Sequence, residues 1–354
     1  MVPINTALAS YGMSGIVFHG PLLATHRGFV ISRIFERRNS NSEGKHPGAI
    51  IVRSYEEILH DPEIELVIVN TPDYLHHEMS LKALEAGKHI VVEKPFTLKV
   101  SEADDILNLA SKKGLMVSVF QNRRWDGDFL TVQQVMKEGQ LGRMVSFESH
   151  FDRFRNYIQE SWKEEKSLGA GTLYNLGSHM IDQALHLFGL PEFVFADVRA
   201  QRTESQVDDS FDVFMHYSEV KCLVRGSYLV KEAGPRYILH GTEGSFVKHG
   251  LDPQEADLKE GKMPDSKEWG EEDPAAYGLL NSQANGHEIR EKIPTLPGNY
   301  LAFYDSIYDH LRNGAELAVT GEQGRDVIRI IEAAYESAEK GEVVKITRNS
   351  GQTN

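Results

Sequence analysis

Residues 169–189, "GAGTLYNLGSHMIDQALHLFG", set an amide, an imidazole and a carboxylate into one helix-length apolar run. Asn175, His179 and Asp182 stand at i, i+4 and i+7, which at about 100° per residue puts them on one narrow stripe of an α-helix. These side-chain types suit proton transfer. An imidazole titrates where a base must operate, and polar neighbours on its own stripe can orient it. Lys94, in "VVEKPFT", directly follows a strand-like run, and its ammonium can polarise an oxygen on which negative charge develops. Oxidising a secondary alcohol removes a hydride from carbon and a proton from oxygen. A nicotinamide takes the hydride, and the protein must handle the proton. His179 is then the candidate base and Lys94 the candidate polarising group. A buried histidine satisfied by its neighbours would account for His179 alone. The polar stripe and the glycine-rich "GAG" before it favour the catalytic reading.

Such chemistry needs a dinucleotide site, and the first third of the chain has the texture for one. "INTALA", "GFVISRIFE", "IELVIVNTP", "KHIVVEKP" and "LMVSVFQN" read as strands. Between them "SYEEILHDP", with Ser54 as N-cap, "HHEMSLKALEAG", stopped by Gly87, and "SEADDILNLASKKG" read as helices. Strict alternation predicts a doubly wound parallel sheet over residues 1–121. The turn after the first strand, Ser10-Tyr11-Gly12-Met13-Ser14-Gly15, follows the pattern G-x-G-x-x-G with serine in the first position. Gly12 lets a pyrophosphate approach the backbone, and Gly15 allows close packing of helix on strand. A tight turn explains two glycines equally well; strand, turn and helix in register favour the dinucleotide. The second strand ends in Phe35-Glu36-Arg37-Arg38. Guanidinium groups clamp a 2′-phosphate, so Arg37 and Arg38 favour NADP, while the Glu36 carboxylate leaves NAD open. Lys94 falls at the C-terminal end of a parallel strand, where ligands of such sheets bind, and Pro95 keeps it out of helical geometry.

Residues 122–354 read differently. "RMVSFESHFD", "FVFADVRAQ", "SFDVFMHYS", "KCLVRGSYLV" and "RYILHGTEGSF" predict a large, mainly antiparallel sheet in an α+β domain with few helices, 172–188 the clearest. Residues 252–292, rich in Asp, Glu, Pro and Gly, read as surface connections, and "GEQGRDVIRIIEAAYESAEKG" as an amphipathic helix before a short strand, "EVVKI". A length of 354 residues accommodates two cores. The net charge of −14 argues against nucleic acid and anionic membrane as partners. A single cysteine, Cys222, the lack of a membrane-length apolar run and the lack of a signal-like N-terminus point to the cytoplasm. No cluster has metal-ligand spacing, so no metal is expected.

The set "SYGMSG", "VVEKP", "QNRRWD" and "GTLYNLGSHMIDQALHLFG" resembles the glucose–fructose oxidoreductase/inositol dehydrogenase (Gfo/Idh/MocA) family over essentially the whole chain, nearest to its NADP-type scyllo-inositol dehydrogenases. The resemblance implies a Rossmann domain joined to an α/β domain whose open sheet face builds homodimers or homotetramers. It implies a small polyol or sugar as substrate, Lys94 and His179 as catalytic residues, and a cis bond before Pro95. It groups Gly12, Met13, Ser14 and Gly15 with the cofactor, together with Thr71, Pro72 and His76 of "TPDYLH", Glu93 beside Lys94, and Arg123 and Trp125 of "NRRW". One departure stands out: the family usually has aspartate where this chain has Asn175. An amide can orient the imidazole but cannot stabilise an imidazolium by charge. Asp182 is a candidate to bind a further hydroxyl or to supply negative potential. Asn175 also motivates a rival reading, a non-catalytic cofactor- or sugar-sensing protein on the same fold. Reduction of a keto-sugar or small dicarbonyl, the reverse direction, is a third.

Overall fold

The structure, a computed structural model, describes residues 2–159, 164–286 and 288–347. The chain divides into two compact units: Met1–Asp126, Pro253–Gly270 and Gly298–Arg325 form the first, and Gly127–Asp252, Glu271–Pro297 and Asp326–Asn354 the second.

The first unit is built on β1 (Ile4–Leu8), β2 (Phe29–Phe35), β3 (Ile50–Val52), β4 (Leu66–Val69), β5 (His89–Val92) and β6 (Val117–Val119). They form one parallel sheet in the order β3-β2-β1-β4-β5-β6. Helices α1 (Gly20–Thr25), α2 (Glu56–Leu59), α3 (His76–Glu85) and α4 (Val100–Lys113) make the crossovers. β4 is buried throughout because a parallel strand here is covered on both faces, hence its unbroken apolar run. The strand order reverses between β1 and β4, so the crevice where such sheets bind ligands opens at the C-terminal ends of those strands.

Three expectations need correcting in this unit. β3 is an additional strand at the sheet edge, three residues long and running from exposed Ile50 to buried Val52, too short to show periodicity. Ser54 does not cap α2 by accepting a bond; its N–H and hydroxyl both donate to Glu57 Oε1 (2.8 and 3.1 Å). The unit also extends past residue 121. The helix Leu301–Asn313 returns to it, packing Phe303 edge-on (4.9 Å between ring centres) and Tyr304 at a tilt (6.1 Å) against Phe120. That helix is absent from the sequence reading because aromatic and β-branched residues, poor helix formers, dominate its buried side.

The second unit carries helices α5 (Gly127–Lys137) and α6 (Ser178–Phe188) and a nine-stranded sheet. Its strands are β7 (Met144–His150), β8 (Phe193–Arg199), β9 (Ser210–His216), β10 (Lys221–Ser227), β11 (Tyr237–Gly241), β12 (Gly244–Lys248), β13 (Gly278–Ser282), β14 (Ile289–Ile293) and β15 (Val344–Lys345). Their order is β14-β13-β12-β11-β7-β10-β9-β8-β15, antiparallel except for the β7–β10 pair. Alternation is plain in β9, where Phe211, Val213 and Met215 are buried while Phe214 and His216 are exposed. The stretch 252–292 is not merely connecting chain: it supplies the helix Gln254–Lys259, β13 and most of β14. β14 is an edge strand, "IREKI", whose outward charges hide its strand character and protect the edge from further pairing. Among the described residues, no helix is long and apolar enough to cross a membrane.

Candidate active site

In the first unit the turn after β1 is tied to the end of β4 by Asn70. Asn70 Oδ1 accepts the Ser10 N–H (3.0 Å), its Nδ2 donates to the Ser10 carbonyl (2.9 Å), and the Ser10 hydroxyl donates to the Asn70 carbonyl (2.7 Å). Serine in place of the first glycine therefore adds a bond between two strands. Gly15 needs its hydrogen: a Cβ there would lie 3.0 Å from the Ser10 carbonyl and 3.1 Å from Asn70 Nδ2. Gly12 is different, since a Cβ would meet nothing within 4 Å. Gly12 and Met13 are exposed, leaving the open flank of the turn accessible to a ligand. The chain enters α1 through a π-turn, Gly15–His19.

Arg37 and Arg38 are exposed at the end of β2, whereas Glu36 is buried. Its carboxylate accepts from Asn41 N (2.8 Å), Ser42 N (2.9 Å) and the Ser42 hydroxyl (2.5 Å), and Arg53 donates to the Glu36 carbonyl (2.8 Å). Glu36 thus shapes the loop that displays the two arginines. Further along this loop, His46 Nε2 pairs with the Tyr11 hydroxyl at 2.7 Å, fastening it to the glycine turn. Burial pushes the Glu36 carboxyl up, but the Ser42 hydroxyl and the two backbone N–H donors outweigh it and hold it below the usual range. A depressed carboxyl stabilises the fold above its unfolded pKa, and that contribution is lost as pH falls through the folded value. Amide protection at Asn41 and Ser42 should therefore disappear on acidification through the folded value, below the ordinary carboxyl range. Hydrogen exchange monitored from neutral pH downward checks this; protection persisting after full carboxyl titration would contradict it.

Thr71 and Pro72 are half-buried at the end of β4, and Lys94 is half-buried at the end of β5, followed by a cis bond to Pro95. Three side chains grouped with the cofactor by resemblance have protein partners inside this unit. His76 Nδ1 faces the Pro95 carbonyl (2.9 Å) and Nε2 the Thr71 carbonyl (3.0 Å), joining the two loops. Glu93 turns its carboxylate inward to His19 Nε2 (3.0 Å) and to the Lys94 N–H (3.0 Å). Arg123 is buried and pairs with Asp126 (3.0 Å) and with Glu255. Trp125 is half-buried against Phe303 (5.9 Å between ring centres).

Asn175, His179 and Asp182 belong to the second unit. The helix begins with a π-turn, Leu173–Gly177, before becoming α6. Asn175 sits in that wider turn, so the regular α-helical stripe applies only from Ser178 onward. Asn175 is half-buried, while His179 and Asp182 are buried at 6 % and 2 % exposure. A residue that sequence reasoning missed organises this helix start. Asp208 Oδ2 accepts from the Leu173 N–H (2.8 Å) and the Thr172 hydroxyl (2.9 Å), and Oδ1 from the Tyr335 hydroxyl (2.6 Å). It supplies, from a distant loop, the capping acceptor that Thr172 itself does not. Burial raises its pKa despite these donors. The same Asp208 explains "GAG": Gly171 has φ +97°, and a Cβ there would lie 2.1 Å from Asp208 Oδ1. Gly171→Ala should destabilise the fold by about 1–3 kcal/mol through backbone strain and loss of the cap. An unchanged midpoint in urea would contradict this. Asn175 shares a small polar cleft with Thr172, Asp208, Arg155, Arg202 and Tyr228. Both guanidinium groups lie 4.9 Å from the Tyr228 ring centre.

Comparison with known proteins covers both units. Residues 4–121 match the oxidoreductase-family NAD-binding Rossmann fold, and residues 133–346 match the oxidoreductase-family C-terminal alpha/beta domain. The chain is 42 % identical over 343 residues to scyllo-inositol 2-dehydrogenase (NADP(+)) IolW of Bacillus subtilis, covering 97 % of this chain and 96 % of that protein. It is 38 % identical to the uncharacterized oxidoreductase YdgJ of Escherichia coli, covering 95 % and 96 %. Among solved structures, yvaA from Bacillus subtilis superposes with a TM-score of 0.94 at 41 % identity, covering 98 % of this chain and 99 % of that one. An oxidoreductase from Bacillus cereus gives 0.90 at 38 % identity, covering 98 % and 99 %.

Proposed function

Since the chain belongs to the Gfo/Idh/MocA oxidoreductase family, we propose that it is an NADP-linked dehydrogenase acting on a secondary alcohol of a cyclic polyol, scyllo-inositol being the first candidate. The observation that carries this reading is the retention of both proton-handling groups in built surroundings. Lys94 stands at the C-terminal end of β5 on a backbone fixed by Glu93, and His179 stands in the first turn of α6 behind the Asp208 cap. The name of the Bacillus subtilis relative supports the substrate class and the cofactor.

When bound, the nicotinamide supplies the hydride acceptor. The chain does the rest. The open flank of Gly12 admits the pyrophosphate, and Arg37 and Arg38 hold the 2′-phosphate. The buried, fully engaged Glu36 carboxylate supports NADP over NAD, because it is already occupied by Asn41 and Ser42. His179 takes the alcohol proton, and Lys94 stabilises the oxygen as charge builds. Asn175 orients the imidazole or a substrate hydroxyl, and Asp182 holds a further hydroxyl or contributes negative potential.

The deciding experiment mixes purified protein with a panel of polyols and each oxidised cofactor and follows absorbance of the reduced nicotinamide. Scyllo-inositol with NADP should give the fastest turnover. If no polyol reduces either cofactor, the reading fails and the sensing role that Asn175 motivates takes its place.

The working form is a cytoplasmic homodimer or homotetramer. Supporting this, the exposed face of the large sheet carries Phe195 and Phe214 at 40 and 47 % exposure, in cross-strand register with each other and with Leu223. Apolar side chains so placed suit self-association through a second copy of the sheet. Phe214→Asp should shift the protein toward monomer in sedimentation velocity; an unchanged distribution would reject this interface.

A further inference from the structure

Glu93 is 9 % exposed, and His19 and Tyr304 are fully buried. They form a chain of hydrogen bonds that ends on the backbone of Lys94. The Tyr304 hydroxyl lies 2.6 Å from His19 Nδ1, His19 Nε2 lies 3.0 Å from Glu93 Oε1, and the Lys94 N–H donates to Glu93 Oε2 at 3.0 Å. Direction follows from chemistry. A carboxylate only accepts, so His19 donates through Nε2, which leaves Nδ1 to accept the Tyr304 O–H. Each member therefore has its partner, the condition under which a buried polar chain is tolerated.

Packing fixes the chain in place. The His19 ring lies 4.4 Å from Phe120, centre to centre, and Tyr304 meets Phe29 at 5.4 Å and Phe303 at 5.3 Å. In this aromatic surround an apolar trio would fill the space without any desolvation cost. A buried carboxylate is costly unless paired, so its presence calls for a reason beyond packing. Burial pushes the Glu93 carboxyl up, but the bond from His19 and the nearby Lys94 ammonium bring it below its ordinary range. On the other side of Lys94, the Pro95 carbonyl is held by His76. Lys94 thus projects from a backbone pinned on both flanks.

We propose that Tyr304 and His19 are positioning residues for Lys94, acting through Glu93: they keep the carboxylate oriented so that it fixes the backbone from which the lysine reaches the substrate oxygen. This rests on the reading of Lys94 as the group that polarises that oxygen. Tyr304 and His19 are fully buried and offer no surface to a ligand, so their removal should affect turnover and not affinity.

Two variants test the proposal, each with two readouts. Tyr304→Phe removes one oxygen and keeps the aromatic packing; Glu93→Gln presents an NH2 to one of two donors. With scyllo-inositol and NADP, Tyr304→Phe should lower kcat about three- to tenfold, and Glu93→Gln about tenfold or more, as for other partners that orient a functional group. The Kd for NADP and the KM for scyllo-inositol should stay within about twofold. In the substrate-free proteins, the Lys94 amide should exchange with solvent at least about tenfold faster in Glu93→Gln and measurably faster in Tyr304→Phe. Either an unchanged kcat in folded Tyr304→Phe or unchanged Lys94 exchange in that variant overturns the proposal. If the wild-type protein oxidises no polyol, the dehydrogenase reading falls and Lys94 exchange alone decides whether the chain positions that backbone.

Discussion

His179→Ala should lower turnover of scyllo-inositol by about 10²–10⁴-fold, the usual contribution of a general base. The Kd for NADP, measured by quenching of protein fluorescence, should stay within about twofold, since in the proposed mechanism the imidazole takes the alcohol proton and the cofactor is held by the first unit. His179 is 6 % exposed and follows a helix start fastened by Asp208, so its ring is carried on a rigid element. Asn175, in the π-turn just before, is neutral at the position where the family resemblance implies a carboxylate. Asn175→Asp should therefore preserve or raise turnover near neutral pH, because a carboxylate stabilises the imidazolium that forms as the proton moves. Undiminished turnover in His179→Ala would make this helix structural and send the search for a base elsewhere.

Replacing Arg37 and Arg38 together with alanine should raise the KM for NADP by about 10–100-fold while leaving that for NAD within about threefold. A charge-assisted bond from arginine to phosphate is worth about 1.5–3 kcal/mol when desolvated, and about 1.4 kcal/mol corresponds to each factor of ten. Both arginines are exposed, so solvent and salt take a share, and the discrimination should shrink as ionic strength rises. Kinetics with each cofactor at two salt concentrations checks both statements. A wild-type preference for NAD would overturn them, and Glu36 would then have to leave Asn41 and Ser42 to reach a ribose.

Local signals made the two-domain architecture readable in advance. Buried parallel strands such as β4 and β5 are continuous apolar runs, and half-buried strands such as β9 alternate. The glycine turn, the lysine before proline and the histidine on its helix were visible because chemistry demands particular residue types at short spacings. Elements without such a signature were not. β3 has three residues, β14 exposes its charges at a sheet edge, and the helix Leu301–Asn313 buries aromatic and β-branched residues that favour strands.

The sequence by itself determined the family to which the chain belongs and the residue types from which Lys94 and His179 are proposed as proton-handling groups, because both depend on residue identity and order. Only the tertiary structure decided what surrounds them. Glu36 proved to organise its own loop, Glu93 to anchor the Lys94 backbone with His19 and Tyr304, and Asp208 to cap the helix of Asn175 and His179. The Tyr304–His19 contact joins positions 285 residues apart, and the Asp208–Leu173 contact positions 35 apart. A carboxylate has the same letter whether it faces solvent, a ligand or a buried donor. Which donor it meets is fixed by the folding of distant segments onto one another, and no local spacing encodes that.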